Sequence, residues 1–289
     1  MKKLLAVLMS LTLTAALFTD CGSSSGSSDS GKSDSSSVSE DTSADDGTPA
    51  ADTDTSADGG TLRVGMEIGY PPLEYYDDDG VTPIGIDVEL SNALSKEMGM
   101  EVELIDTAWA GIFAGLDKGD YDCIISAVSI TSDRLLEFEF SNPYIKNYQC
   151  IVTKADASTK PASLDELKDL NVGYQEETTS DDYLNNYMAV NSLSVNTNAY
   201  AKVINVFDDL ELGRLDAVVC DSIVAESYVA DGKFEITWQQ GEDEETEEFG
   251  ICMKKGNTEL KDKVNAALAT LDENGTLDEI IHKYLPNMK

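Results

Sequence analysis

The feature that most restricts the fold of this chain is a change of period between Trp109 and Tyr144. Ile112, Phe113 and Leu116 recur at helical spacing on one face. Gly119 and Asp120 break that pattern, and Cys123, Ile124, Ile125 and Val128 follow as a short apolar run of buried-strand type. Just past the carboxyl end of this expected strand stands Ser129-Ile130-Thr131-Ser132-Asp133-Arg134, hydroxyl residues with one arginine, where open α/β sheets bind their ligands. A guanidinium among hydroxyls and free backbone N–H groups suits a small carboxylate, because its fork grips both oxygens. By itself an arginine in that place is more often a surface ion-pair residue than a ligand clamp.

Strand and helix signals alternate along the rest of the body, which predicts an α/β class. Strands are expected at 62–66, 101–105, 150–153, 171–174, 215–220 and 249–253. Helices are expected at 88–98, 180–188, 199–212, 260–271 and 276–284, with a short helix at 165–167. Asn274-Gly275 reads as a C-cap pair. Asp77-Asp78-Asp79-Gly80 reads as a solvated hairpin turn, since a calcium loop needs its ligands at alternate positions.

Ahead of the body the composition changes. Lys2 and Lys3 precede an apolar run, Leu4 to Phe18, too short and too Thr/Ser-interrupted to span a membrane, so 1–21 reads as a secretory signal segment. Cys21 at its end looks like the lipidation site of a bacterial lipoprotein, although Asp20 stands where a small residue is usual; the alternative is cleavage near Ala15–Ala16. Residues 22–60 are nearly all Ser, Gly, Asp, Thr and Ala, with Val38 the single valine, and are expected to be a disordered tether. This tract carries −8 and the first 21 residues +1, leaving −28 of the net −35 on residues 61–289. A body this acidic argues against nonspecific nucleic-acid binding and suits a cationic solute.

Several chemistries are excluded on residue supply. His282 is the only histidine, which removes a Ser-His triad and a multi-histidine metal site. No Walker loop and no GxGxxG occur. Cys123, Cys150, Cys220 and Cys252 lie in apolar strand-like contexts with no CxxC spacing and read as buried thiols, a disulfide remaining open in an exported chain. No cofactor and no metal is expected.

Between Leu62 and Leu285 the chain resembles the extracellular solute-binding proteins (family 3) of polar amino acid ABC importers. The resemblance is carried by Trp109, GLDKGDYD (115–122), ITSDR (130–134), FSNPY (140–144), GIDVEL (85–90) and FGICMKKG (249–256). It implies a two-lobed periplasmic-binding-protein fold of type II, two Rossmann-like lobes joined by two crossing strands. Lobe 1 would be 61–144 plus 249–289, lobe 2 150–244, and the hinge strands 145–149 and 245–248. It further implies a monomer without enzymatic activity, lipid-anchored on the extracellular face of the membrane or periplasmic, that hands an amino acid to ABC permease subunits. Residue by residue, Arg134 would pair with the ligand's α-carboxylate, helped by Ser129 and the Thr179 N–H, with Thr178 beside it. Asp221 would hold the α-ammonium with the Ala127 carbonyl and Ser129. Tyr70 and Trp109 would wall the side chain, and Glu67, Asp87 and Gln175 would meet its polar end, Asp87 alternatively capping the helix that begins there. Glu177 departs from the family's glycine. On this assignment a cationic amino acid such as arginine or lysine comes first, then glutamine or histidine. The alternatives are a cyclohexadienyl-dehydratase-like enzyme using Glu67 as its acid, or a sensory or adhesive lipoprotein.

Overall fold

Two five-stranded sheets built on the same plan carry the molecule. The computed structural model describes residues 59–241 and 246–288. The 1–21 segment with Cys21, and the 22–60 tract up to residue 58, lie outside the described residues.

The chain opens with β1 (Thr61–Met66), the small hairpin β2 (Tyr75–Tyr76) and β3 (Pro83–Ile84), α1 (Ile86–Glu97) and β4 (Glu101–Asp106). A 3-10 turn at Trp109–Gly111 runs into α2 (Ile112–Lys118), which stops at Gly119 in the left-handed conformation, φ 84°. Then come β5 (Cys123–Ile124), α3 (Ser132–Glu137), β6 (Phe138–Phe140) and β7 (Ile145–Asn147). The second half holds β8 (Gln149–Lys154), β9 (Asn171–Gln175), α4 (Thr179–Asn191), β10 (Asn196–Tyr200), α5 (Val203–Glu211), β11 (Ala217–Asp221), α6 (Ser222–Val229) and β12 (Phe234–Gln239). Last are β13 (Glu247–Phe249), β14 (Cys252–Lys254), α7 (Thr258–Glu273) and α8 (Thr276–Tyr284).

The first sheet has the order β4-β1-β5-β14-β6 and the second β10-β9-β11-β8-β12. In each, four strands run one way and one, β14 or β8, runs against them. β7 and β13 pair antiparallel between the two sheets, joining Ile145 to Phe249 and Asn147 to Glu247. The carboxyl ends of β1, β5, β9 and β11 therefore converge beside this pair. One buried cluster runs through both halves, from Leu62 and Val64 to Val206 and Val218, and two smaller ones cover the other faces of the sheets.

The buried strand expected through Val128 keeps ladder pairing only over Cys123–Ile124. Ile125 still donates its N–H to Gly65 O, and the chain then turns at Ala127, φ 49°. The helix expected at 199–212 begins at Val203; Ala199 and Tyr200 belong instead to β10, an edge strand whose backbone pairs with β9. Asn196-Thr197-Asn198 has no apolar alternation to announce it. β12 was not anticipated either, although Phe234, Ile236 and Trp238 alternate at the strand period. The four body cysteines are free and buried, and Cys150 and Cys220 face each other across β8 and β11 with their sulfurs 4.0 Å apart. Asp79 closes the hairpin turn, accepting the Val81 and Thr82 N–H groups.

Candidate functional site

The site is built from loops that leave the carboxyl ends of the parallel strands. After β1 come Glu67 and Tyr70, after β5 Ala127 and Ser129, after β9 Gln175 to Thr179, and at the end of β11 Asp221.

Asp221 is the best-bonded acid among them. Its Oδ1 accepts Asn147 Nδ2 at 2.7 Å and Gln149 Nε2 at 2.9 Å, and its Oδ2 accepts the Tyr70 hydroxyl at 2.5 Å. It stands at the N-cap position of α6, but its side chain makes no capping bond. Burial and the nearby Glu247 charge push its carboxyl up to about 7 against those hydrogen bonds.

Arg134 sits in α3 with its guanidinium 5.1 Å from the Phe113 ring centre and 5.6 Å from that of Trp109. It donates to Ser129 O at 3.0 Å, and no carboxylate lies within ion-pair distance of it among the described residues. Burial pulls this guanidinium below its ordinary value. Trp109 Nε1 reaches across to donate to Glu177 O at 3.0 Å.

Glu177 holds a left-handed φ of 60°, the conformation that a glycine takes at no cost. Thr178 caps α4 by accepting the Asp181 N–H and donates its hydroxyl to Gln175 O at 2.7 Å. Thr179 donates its hydroxyl to Glu247 Oε2 at 2.8 Å, and Ser129 donates to the same oxygen at 2.7 Å. Glu247, on β13, thus ties the first half to the second; Gln149 bridges it to Asp221 by donating to its Oε1 at 2.8 Å. The hydroxyl expected to help a ligand carboxylate, that of Ser129, is committed to an internal one.

At the far end Gln175 Nε2 donates to Glu67 Oε2 at 2.6 Å and to Ala201 O at 3.1 Å. Gln175 Oε1 is buried without any partner. Burial raises the Glu67 carboxyl, with Gln175 and the Lys202 charge pulling it back. Lys202 itself donates to Ile68 O at 3.4 Å.

Asp87 is a correction on both counts. It is fully buried beneath the loop, where Oδ2 accepts Ala127 N–H at 2.7 Å and the Tyr144 hydroxyl at 3.0 Å. It neither faces the cleft nor caps α1, whose N-cap is Gly85 with no side-chain bond. The remaining ten expected site residues are brought together around the β7–β13 pair. Glu247, Asn147, Gln149 and Lys202 were not anticipated; the polar positions of β7 and β13, beside a crossing strand, were the available signal.

A separate cavity of about 370 Å³ lies against Lys146, Tyr148, Ile223, Tyr284 and Met288. Lys146 and Tyr148 alternate with the site-facing Asn147, so this cavity is on the other side of the crossing strand. No cluster of three or more metal-ligating side chains occurs among the described residues, and no helix among them is long and apolar enough to cross a membrane.

A sequence model for bacterial extracellular solute-binding proteins, family 3, matches residues 62–287. The chain is 33% identical over 228 residues to the L-cystine-binding protein TcyJ of Escherichia coli, covering 78% of this chain and 82% of that one. It is 29% identical over 295 residues to the arginine-binding extracellular protein ArtP of Bacillus subtilis, covering 100% of both. Among solved structures, an ancestral arginine-binding protein bound to arginine superposes with a TM-score of 0.72 at 33% identity, over 79% of this chain and 99% of that one. The neighbours share the two-lobed type II fold.

Proposed function

The chain belongs to the bacterial extracellular solute-binding proteins, family 3, and from that premise we propose that it captures a free L-amino acid between its two lobes. The carrying observation is Arg134: a half-buried guanidinium, flanked by two rings, with no carboxylate partner among the described residues of a body of charge −28. The ligand's α-carboxylate supplies that partner. Since Glu247 occupies the hydroxyls of Ser129 and Thr179, the carboxylate relies on Arg134 and the N–H groups that open α4. Asp221 and the Ala127 carbonyl take the α-ammonium.

Lobe 1 is 61–144 plus 249–289, lobe 2 is 150–244, and 145–149 with 245–248 is the hinge. The ligand drives closure because Arg134 comes from one lobe and Asp221 from the other. Tyr70–Asp221, Gln175–Glu67 and Trp109–Glu177 are among the direct bonds of the closed state.

The side-chain end offers acceptors. The unpartnered Gln175 Oε1 and the carboxylate of Glu67 call for a donor-rich side chain, which places arginine first, then lysine or ornithine, then glutamine or histidine. Lys202 favours a second reading. A side chain ending in its own zwitterion, as in cystine, would set an ammonium on Glu67 and a carboxylate on Lys202.

A thermal-shift panel of the common amino acids with ornithine and cystine tests the assignment, since a ligand at ~100 times its Kd adds about 2.7 kcal/mol. Arginine is expected to give the largest shift, and Lys202→Met to leave it in place. A shift by cystine alone, lost in Lys202→Met, selects the second reading. An acidic or apolar ligand giving the largest shift overturns both. The protein is expected not to turn over arogenate or prephenate. Delivery to an ABC permease from a lipid anchor at Cys21 completes the proposal; labelled fatty acid incorporated in wild type and absent in Cys21→Ser tests the anchor.

A further inference from the structure

Two fully buried carboxyls lie behind the site and hold its loop from beneath. Glu74, in the turn after β1, and Asp87, in the first turn of α1, are both 0% exposed. Glu74 Oε1 accepts the Ser126 hydroxyl at 2.6 Å, and the same Ser126 oxygen accepts the Glu67 N–H at 3.0 Å. Asp87 Oδ2 accepts the Ala127 N–H and the Tyr144 hydroxyl. The two oxygens left over, Glu74 Oε2 and Asp87 Oδ1, are buried with no other partner, and the two side chains are within hydrogen-bonding reach of each other.

Two ionised carboxylates cannot hydrogen-bond, and neither has an ion-paired lysine or arginine among the described residues. Both orphan oxygens are satisfied at once if one proton lies between them. We propose that Glu74 and Asp87 share a single proton between Oε2 and Oδ1, and that this acid–carboxylate bridge is what holds the Ser126-Ala127 loop. Ala127 is a non-glycine residue at φ 49°, a conformation that persists only where its surroundings impose it. The bridge imposes it from two sides, through Ser126 to Glu74 and through the Ala127 N–H to Asp87. On the ligand reading above, the Ala127 carbonyl receives the ammonium, so Glu74 and Asp87 act as positioning residues; the bridge itself does not depend on that reading.

The groups that act on the pair are Glu67, a third acid, and the phenols of Tyr70 and Tyr144. Burial and the Asp87 charge push the Glu74 carboxyl well above its ordinary value, in the direction that keeps a proton on the pair. The sign follows. A proton bound in the folded state and absent from the unfolded one stabilises the fold until the pH rises through the folded pKa. Above it, two adjacent buried charges push the loop apart.

The test is a ¹³C-carboxyl titration of the ligand-free full chain, with thermal melts and L-arginine titrations of wild type, Glu74→Gln and Glu74→Ala. The expected result is one side-chain carboxyl that is still protonated at pH 7 in wild type and missing from the Glu74→Gln spectrum. Glutamine keeps the donor without the titrating proton. Its melting temperature at pH 6 should match wild type, and its alkaline decline should be shallower than that of wild type. Glu74→Ala should lose stability at every pH and weaken L-arginine binding by about tenfold or more, with glutamine restoring it. If both carboxyls ionise in the ordinary range, or if glutamine behaves as alanine does, the bridge is wrong. If wild type fails to bind L-arginine, the ligand reading fails and the carboxyl titration still decides the bridge.

Discussion

At the scale of single residues, Arg134 and Asp221 differ in what they do without ligand. Among the described residues Arg134 has only one hydrogen-bond acceptor, so Arg134→Ala leaves little unsatisfied and should barely change the melt. Binding, by contrast, should lose ~2–5 kcal/mol as a desolvated charge pair is truncated, which calorimetry would read. Asp221→Ala orphans donors from Tyr70, Asn147 and Gln149 and should lower both affinity and melting temperature. Equal melts for the two variants would contradict these bonds. Glu177 is the other informative residue. Its φ of 60° costs a β-carbon residue about 1–2 kcal/mol, so Glu177→Gly is expected to stabilise and Glu177→Ala not to, as urea melts of the two would show. The loop holds the left-handed turn that suits a glycine although a glutamate stands there.

At the scale of elements, the approach of α2 to β1 is set by two glycines under one ring. A β-carbon on Gly65 would come within 2.6 Å of the Tyr121 ring, and one on Gly115 within 2.4 Å of its hydroxyl. Tyr121 is buried and donates to Ile112 O, so it cannot swing aside freely. Gly65→Ala should therefore cost about 1–3 kcal/mol of stability. Its cost should shrink in a Tyr121→Leu background, because a shared contact makes the two changes non-additive. Additive denaturation energies would mean that the ring is not the obstacle. Trp109 works across elements, from the 3-10 turn of the first half to the loop before α4. Trp109→Phe keeps a ring beside Arg134 and removes the indole donor. It should weaken ligand binding by about 0.5–1.5 kcal/mol, measured by calorimetry.

For the whole molecule, Asp221 in the site and Asp87 behind it make stability depend on pH, and Asp221 makes binding do so too. Asp221 is raised to about 7 and Asp87 to about 6 from an ordinary 3.8, burial being the largest cause in each. In the folded state they hold protons that the unfolded chain has released. Their contribution is fully present below about pH 4 and is lost as the pH rises through their folded values. The ligand-free protein should melt lower at pH 8 than at pH 5. An α-ammonium against Asp221 favours the carboxylate, so binding releases a proton and affinity rises between roughly pH 5 and 8. At pH 6.5 the binding enthalpy should then differ between phosphate and Tris buffers; equal enthalpies would remove Asp221 from the ammonium site.

How much of this was legible in the sequence follows from the range of each interaction. The helix-to-strand change after Trp109, the stop at Gly119, the Asn274-Gly275 cap and the burial of the four cysteines are local matters of period, φ and side-chain polarity, and each stands as expected. Ten residues named from the family's motifs lie on loops around the β7–β13 pair, and their roles in binding are proposed. Tertiary structure alone decided the rest. β10 exists because β9 offers an edge, not because Asn196–Tyr200 has a strand pattern. Glu74 and Glu247 look like ordinary solvated acids in sequence and Asp87 like a cleft residue or a cap, yet Asp87 and Glu74 are wholly buried, and Glu247 joins hydroxyls 118 and 68 positions away. A carboxylate's role is set by which donors the fold brings to its oxygens and by how much water it excludes, and neither quantity has a local period to read.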